Sequence, residues 1–253
     1  MNTKVAIITG AGRGLGRNMA VHLARRGVGI VGTFRSDSEG GPDSTAAEIE
    51  AAGGPAAMLQ LDVSRVADFQ AFAKQLQKTL ETTFGRSSFD YLVNNAGNSA
   101  FAPVSQTTEE QFDSLVAVQF KGPLFLTQAL LPMIADGGRI LNVSSGAAHT
   151  VSPGVGVYAA NKAAVEVLTR YLATELGDRK IRVNAIAPGA IATDFAHGVV
   201  RDNPDINKRV AGMTPLGRVG QPDDIGAAVA SILSDDFGWV NGARIDITGG
   251  QGL

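Results

Sequence analysis

The sequence contains no cysteine in 253 residues, which excludes disulfides, thiolate metal sites, iron–sulfur ligation and a cysteine nucleophile together. Histidine is nearly as scarce. His22, His149 and His197 are the three present, and they form no metal-spaced motif, so no metal site is expected. A dominant charge is missing too: 22 basic against 24 acidic side chains leave a net charge of −2, with no overall field to hold nucleic acid. No run approaches the ~18 consecutive apolar residues of a membrane span. The apolar stretch 5–8 after Lys4 is too short for a secretory signal and ends in the turn chemistry of Thr9-Gly10-Ala11-Gly12. These absences point to a soluble protein of a reducing cytoplasm, with neither nucleic acid nor membrane as partner. Glycine, by contrast, is abundant at 31 of 253 residues, above the ~7% of average usage and without a three-residue period. It requires local explanations.

Short β-rich runs alternate with longer helical patterns along the whole chain. The expected strands are 5–9, 29–34, 56–61, 91–94, 139–143, 182–187 and 244–248; the clearest helices are 14–26, 66–83, 109–134, 157–176 and 222–233. Apolar runs without alternation belong to strands buried on both faces. The expected fold class is therefore α/β, a doubly wound, Rossmann-type parallel sheet of about seven strands with helices on both faces, in one domain over residues 1–253. The segment Asp194 to Leu216 breaks the rhythm. It is polar, carries His197, Arg201, Lys208 and Arg209, and is too long for an ordinary connection, so it reads as a flap beside a site.

The first strand runs into Thr9-Gly10-Ala11-Gly12-Arg13-Gly14-Leu15-Gly16, at the mouth of a helix. Glycines there let the backbone turn sharply and approach a pyrophosphate, whose charge is met by amide N–H groups and the positive end of the helix. Gly10, Gly12, Arg13, Gly14, Leu15 and Gly16 are thus candidates for dinucleotide binding; a tight turn without a ligand is the alternative reading. The end of the second strand selects the form of the dinucleotide. A ribose diol calls for a carboxylate there, whereas a 2′-phosphate calls for a guanidinium. Here the strand ends Thr33-Phe34-Arg35-Ser36, Arg13 offers a second cation, and Asp37 is the counter-evidence. Two cations against one displaced acid favour NADP(H) over NAD(H), with Arg35 and Ser36 at the phosphate.

Tyr158 and Lys162 lie four residues apart in an alanine-rich helical run, one turn apart on one face. A phenol has an ordinary pKa near ~10, and lowering it by three units takes about 4 kcal/mol, so a tyrosine trading protons near neutrality needs positive charge beside it. Taken alone, such a pair is also a common surface pair. Its surroundings are more telling: Asp62-Val63 after the third strand, Asn94-Asn95-Ala96-Gly97 after the fourth, Ser145 thirteen residues before Tyr158, and Pro188-Gly189 after the sixth.

With the glycine loop, these six ordered motifs resemble the short-chain dehydrogenase/reductase family, in its single-domain branch, from Thr3 to Gly250. The glycine pattern TGxxxGxG goes with that branch, since the longer epimerase-like branch would have glycine at Arg13 and a C-terminal extension. The resemblance implies that Tyr158 protonates a carbonyl oxygen during reduction, or takes the proton in reverse, and that Lys162 lowers its pKa and binds the nicotinamide ribose. Ser145 would orient the carbonyl, and the hydride would come from the cofactor. It further implies Asp62 and Val63 at the adenine, Asn95, Ala96 and Gly97 at the ribose, and Ile191 and Thr193 at the carboxamide after the Pro188-Gly189 turn. Plainer roles stay open: Ser145 as a strand-end cap, and Asn94 and Asn95 as partners of loop backbone. One departure stands out. Where the family usually has an asparagine that holds a water in the proton relay, this chain has Gln119, in Val118-Gln119-Phe120-Lys121-Gly122. A relay role and a helix residue bonding nearby backbone are equally good readings of it.

The substrate is expected to be a small carbonyl or alcohol compound held between 149–157 and the flap, both mostly small or apolar. The whole-chain pattern looks most like 3-oxoacyl-[acyl-carrier-protein] reductases, yet Pro132 to Gly137, where an acidic carrier would dock, has no cation before Arg139. A general ketone reductase that includes the carrier-bound case is therefore expected, with a catalytically weak dinucleotide sensor or scaffold as the alternative. Family resemblance implies a homotetramer, assembled through Phe112 to Leu131, Ala163 to Leu176 and the last strand.

Overall fold

The computed structural model describes residues 3–36 and 41–253, so Asp37 lies outside the described residues. Seven strands, β1 (Val5–Ile8), β2 (Gly29–Phe34), β3 (Ala56–Gln60), β4 (Phe89–Asn94), β5 (Ile134–Val143), β6 (Arg182–Pro188) and β7 (Arg244–Ile247), form one sheet. Their order is β3-β2-β1-β4-β5-β6-β7 and every pairing is parallel. Successive side chains of a strand point to opposite faces, and β1 shows it plainly: Val5 and Ile7 enter one core cluster, Ala6 and Ile8 the other.

Helices α1 (Gly14–Ala24), α2 (Pro42–Ala51), α3 (Phe69–Phe84), α4 (Glu109–Val116), α5 (Gly122–Leu130), α6 (Gly156–Glu175), α7 (Val199–Asp202), α8 (Pro204–Gly212) and α9 (Pro222–Ile232) complete the architecture. Leu76 and Leu80 of α3, Leu126 and Leu130 of α5 and Leu172 of α6 cover one face of the sheet. Met19 and Leu23 of α1, Ile49 of α2 and Ile225 and Val229 of α9 cover the other. The strand order reverses between β1 and β4, so the loops leaving these two strands part and open a crevice at the carboxyl ends.

Two segments differ from the sequence expectation. Helix α2 was not among the expected elements, because it is polar and buries only Thr45 and Ile49. Pro42 at its first position was the available signal. The expected helix 109–134 is present as one continuous run, Glu109–Met133, made of α4, a π-helical turn over Ala117–Lys121, α5 and a last 3₁₀ turn; it stops short because Ile134 opens β5 by pairing with Phe89. Pro123 explains the π-helical turn, since it has no N–H to give the carbonyl of Gln119 four residues back and its ring crowds that carbonyl. The run Glu109–Met133 is long and apolar enough to cross a membrane by length and composition alone. Its apolar face is accounted for by packing, with Leu115, Leu126 and Leu130 fully buried. Segment 194–216 folds as a 3₁₀ turn (Phe195–Gly198), α7 and α8, the last capped by the Asn203 side chain.

Candidate active site

The carboxyl ends of β1, β4, β5 and β6 bring the predicted residues to one crevice. At β1, the chain enters α1 through the glycine loop. Gly16 has no room for a side chain, since a Cβ there would stand under 3.0 Å from Gly10 O and from the Asn95 amide. It lets α1 close onto the strand. Gly12 is different: a Cβ there would touch only Phe34 at an ordinary 3.4 Å, so nothing inside the chain demands glycine at that position. Helix α1 also starts without a side-chain cap and with no acid in its first turn, whereas α4 is capped by Thr108 and α8 by Asn203. An open backbone and an uncapped helix N-terminus fit an external phosphate.

Asn95 braces this loop. Its side-chain amide donates to Thr9 O at 2.8 Å and Gly10 O at 3.3 Å, while the Thr9 hydroxyl accepts from the backbone N–H of Asn95 and Ala96, both at 2.9 Å. The Asn95 side chain is thus committed to loop backbone, and Ala96 and Gly97 present the surface next to it. Asn94 turns inward, donating to Asn142 Oδ1 at 2.8 Å and to Thr127 Oγ1 at 3.1 Å, in a buried polar ladder that Asn142 continues to Thr169.

A cleft of about 660 Å³ lies beside the loop, lined by Arg35, Asp62, Ser64 and Asn98 and by the first turns of α4. Asp62 is oriented through Oδ1, which accepts from Ser64 N at 2.9 Å and Ser64 Oγ at 2.7 Å. Val63 is buried beside it, and Arg13, Arg35 and Ser36 are exposed at the same end of the crevice. Across from the loop, the buried Thr193 comes within 3.9 Å of where a Gly14 Cβ would be. Its hydroxyl accepts from Phe195 N at 3.2 Å. Gly189 N donates to Ile247 O at 3.0 Å, which fixes the turn after Pro188, and Ile191 pairs with Gly220 in an isolated bridge.

Ser145 follows β5, and Tyr158 and Lys162 occupy the first two turns of α6. Lys162 is buried, donates from Nζ to Val143 O at 2.8 Å and stands 5.7 Å from the centre of the Tyr158 ring. Burial pushes this lysine down to about 7. The sequence expectation was a phenol lowered by the lysine; in the chain itself, burial pushes Tyr158 up to about 12, and the Ser145 hydroxyl pulls only weakly the other way. A lysine that has itself lost much of its charge by desolvation is a weak source of positive potential. At neutral pH the phenol therefore keeps its proton and can give it to a carbonyl oxygen. Ser145 Oγ also accepts from Ala147 N at 3.2 Å, so the hydroxyl does cap the turn that follows it.

Gln119 sits inside the π-helical turn and is almost wholly buried. Its Nε2 donates to Asn98 O at 2.5 Å, and its Oε1 is buried without a partner among the described residues. An acceptor aimed at no protein donor suits a water or a ligand hydroxyl.

Two residues that sequence reasoning did not single out frame the tyrosine. Phe101 meets the Tyr158 ring edge-on at 5.8 Å between centroids, and Phe195 of the flap lies at 6.0 Å, tilted by 51°. Both remain nearly half exposed. Isolated phenylalanines in loops carry no periodic signal, and only the fold brings them together.

Comparison with known proteins places the chain in a family. Residues 10–251 match the family profile described as enoyl-(acyl carrier protein) reductase. A hydroxynaphthalene reductase-like protein, Arp2, of Metarhizium brunneum is 38% identical over 259 residues, covering 98% of this chain and 94% of that protein. Among solved structures, LugOII, a promiscuous reductase that catalyses keto-reduction at C1 in lugdunomycin biosynthesis, superposes with a TM-score of 0.93 at 35% identity, covering 100% of this chain and 99% of the other. The angucycline C-6 ketoreductase LanV with bound NADP superposes with a TM-score of 0.91 at 34% identity, covering 99% and 96%. The chain is a member of the short-chain dehydrogenase/reductase family of oxidoreductases.

Proposed function

We propose that the protein is an NADPH-dependent reductase converting a ketone to a secondary alcohol, with Ser145, Tyr158 and Lys162 at the reacting centre. The observation that carries this reading is a buried phenol beside a buried lysine and a serine hydroxyl, at the mouth of a crevice whose glycine loop opens onto an uncapped helix N-terminus. When bound, the dinucleotide supplies the hydride. Tyr158 gives its phenolic proton to the carbonyl oxygen, and Ser145 Oγ hydrogen-bonds and orients that oxygen. Lys162 binds the nicotinamide ribose below the phenol. Gln119 holds the relay water through Oε1. Gly10, Gly12, Gly14, Leu15 and Gly16 take the pyrophosphate, with Arg13, Arg35 and Ser36 at the 2′-phosphate and Asp62 and Val63 at the adenine. Asn95, Ala96 and Gly97 back the ribose, and Pro188, Gly189, Ile191 and Thr193 the carboxamide. The bound NADP of LanV supports the choice of cofactor.

The substrate this site favours is a flat cyclic ketone rather than a 3-oxoacyl thioester. Phe101 and Phe195 offer ring faces and edges on two sides of Tyr158, and aromatic pairs gain about 0.5–1.5 kcal/mol beyond burial. Arp2 and LanV, by their names, work on such molecules. At the place expected to meet an acyl carrier, Arg179 is committed to Asp136 at 2.8 Å and to Leu131 O at 2.9 Å. We further propose a cytoplasmic homotetramer of one-domain subunits, in which 194–216 is the substrate flap; Phe112, Val167 and Tyr171 are exposed on the helices that would pair.

NADPH oxidation with fused-ring ketones, 1,2-diketones and 3-oxoacyl thioesters tests the reading. Turnover fastest with fused-ring ketones is expected. Tight NADPH binding with no turnover across the panel would establish the sensor instead, and scattering that returned a monomer would remove the tetramer.

A further inference from the structure

We propose that Glu166 is a positioning residue, whose buried carboxylate clamps the loop of Ser145 onto the helix of Tyr158 and Lys162. Glu166 lies four residues after Lys162 on α6 and is 5% exposed. Its Oε1 accepts from Ser144 Oγ at 2.6 Å and from Arg244 Nε at 2.8 Å, and its Oε2 meets His149 Nε2 at 2.9 Å. The Ser144 hydroxyl also lies 3.3 Å from Lys162 O, but it has one proton to give, and the shorter, charge-assisted contact takes it.

The placement of the anchors gives the clamp its meaning. Ser144 and His149 bracket Ser145 and the 3₁₀ turn Gly146–Ala148, so both ends of the loop are tied to one carboxylate. Arg244 ties the same carboxylate to β7 and is itself shared with Asp246. A carboxylate this deeply buried is costly unless fully bonded, and the same group could instead have neutralised the lysine one turn away. Lys162 Nζ turns to Val143 O, and the acid is left to the loop. Ser145's own side-chain contacts are Ala147 N, a neighbour within the same loop, and the Tyr158 hydroxyl, so it is the Glu166 anchors on either side that tie the loop carrying Ser145 to α6 and β7.

The clamp goes beyond the ketone-reductase reading and borrows from it only the turnover assay. Hydrogen exchange in full-length Glu166→Gln, Ser144→Ala and His149→Asn variants tests it without turnover. Faster exchange of the 146–150 amides, by at least tenfold in Glu166→Gln and less in the two single-anchor variants, is expected, with the 159–165 amides of α6 unchanged. On a ketone that the wild type reduces, kcat should fall ten- to a hundredfold in Glu166→Gln while the NADPH Kd stays within twofold. Wild-type exchange in the loop for all three variants would overturn the clamp. So would a loop that opens with no loss of kcat, or a parallel loss of kcat, NADPH affinity and α6 protection, which marks a merely structural acid. If Glu166→Gln does not fold, Ser144→Ala and His149→Asn decide alone, since both leave the Glu166–Arg244 ion pair in place. A wild type that reduces no ketone removes the activity reading, while the exchange rates still decide the clamp.

Discussion

Two buried cations stand along β5, one in the middle of the strand and one against its carboxyl end, and the fold treats them in opposite ways. Arg139, in the strand itself, pairs with Asp235, donates to Tyr91 Oη at 3.0 Å and lies over the Tyr91 ring at 5.1 Å. Lys162, packed against the carboxyl end of the same strand, has a single carbonyl as partner and no carboxylate within ion-pair distance among the described residues. Both are about equally buried. The first arrangement pairs a cation with an acid, although Arg139 Nε stays buried without a partner among the described residues, and the second leaves a lysine with no acid beside it. A nearby acid exists, yet Glu166 is engaged elsewhere. An unpaired buried charge is costly, and burial already lowers Lys162 to about 7, so a lysine kept without an acid beside a buried phenol marks this end of the sheet as the candidate site.

The comparison breaks first at the phenol. Tyr158→Phe keeps the ring between Phe101 and Phe195 but removes the proton donor, so kcat should fall by about 10³-fold, near 4 kcal/mol of barrier, with NADPH affinity unchanged. Stopped-flow NADPH oxidation checks the first part and fluorescence titration the second. Residual turnover within tenfold of wild type would take the proton-donor role away from Tyr158.

Stability should separate the two cations next. The folded pKa of Lys162, about 7, lies below its unfolded value of 10.5, so the folded state binds fewer protons between those values. Stability then rises with pH across that window, and the penalty of charging Lys162 is fully present below pH 7. Lys162→Met should abolish turnover and stabilise the protein at pH 6 by about 3 kcal/mol, after allowance for the lost bond to Val143 O, with the gain fading toward pH 10. Arg139→Met should instead destabilise by about 2 kcal/mol, since it removes an ion pair and a hydrogen bond to Tyr91. Urea melts at both pH values give the signs, and equal signs for the two variants would dissolve the contrast.

How much of this was legible beforehand depends on how local each cause is. The central strands were readable because a strand buried on both faces is a continuous apolar run, as in β1, β2 and β4, whereas the edge strands β3 and β7 are only partly buried and were placed by the alternation with helices. Tyr158 and Lys162 were readable because their spacing is one helical turn. The helix 109–134 was readable from its apolar periodicity, while the π-helical turn at Ala117–Lys121 within it had a local cause in Pro123 that periodicity does not show. Phe101, Phe195 and the Glu166 clamp had none: Glu166 meets partners 22, 17 and 78 residues away, and only the sheet order brings them together. The direction of the pKa shifts was likewise beyond a spacing argument, because burial, which sequence does not state, outweighs the lysine's charge.

The smallest effect expected is at Gln119, and it sharpens the comparison further. Its Nε2 is held by Asn98 O, while its Oε1 is as unsatisfied as Lys162 is unpaired. If both are kept for solvent and substrate, the amide takes part in resupplying the proton that Tyr158 gives away, and shortening it should move the acceptor without removing it. Gln119→Asn is therefore expected to change kcat by threefold or less, about 0.7 kcal/mol, and Gln119→Leu by about tenfold, with a larger solvent isotope effect on the slower variant. A leucine variant with wild-type kcat and isotope effect would reduce Gln119 to a brace for Asn98. The unsatisfied oxygen would then be a cost of the π-helical turn alone.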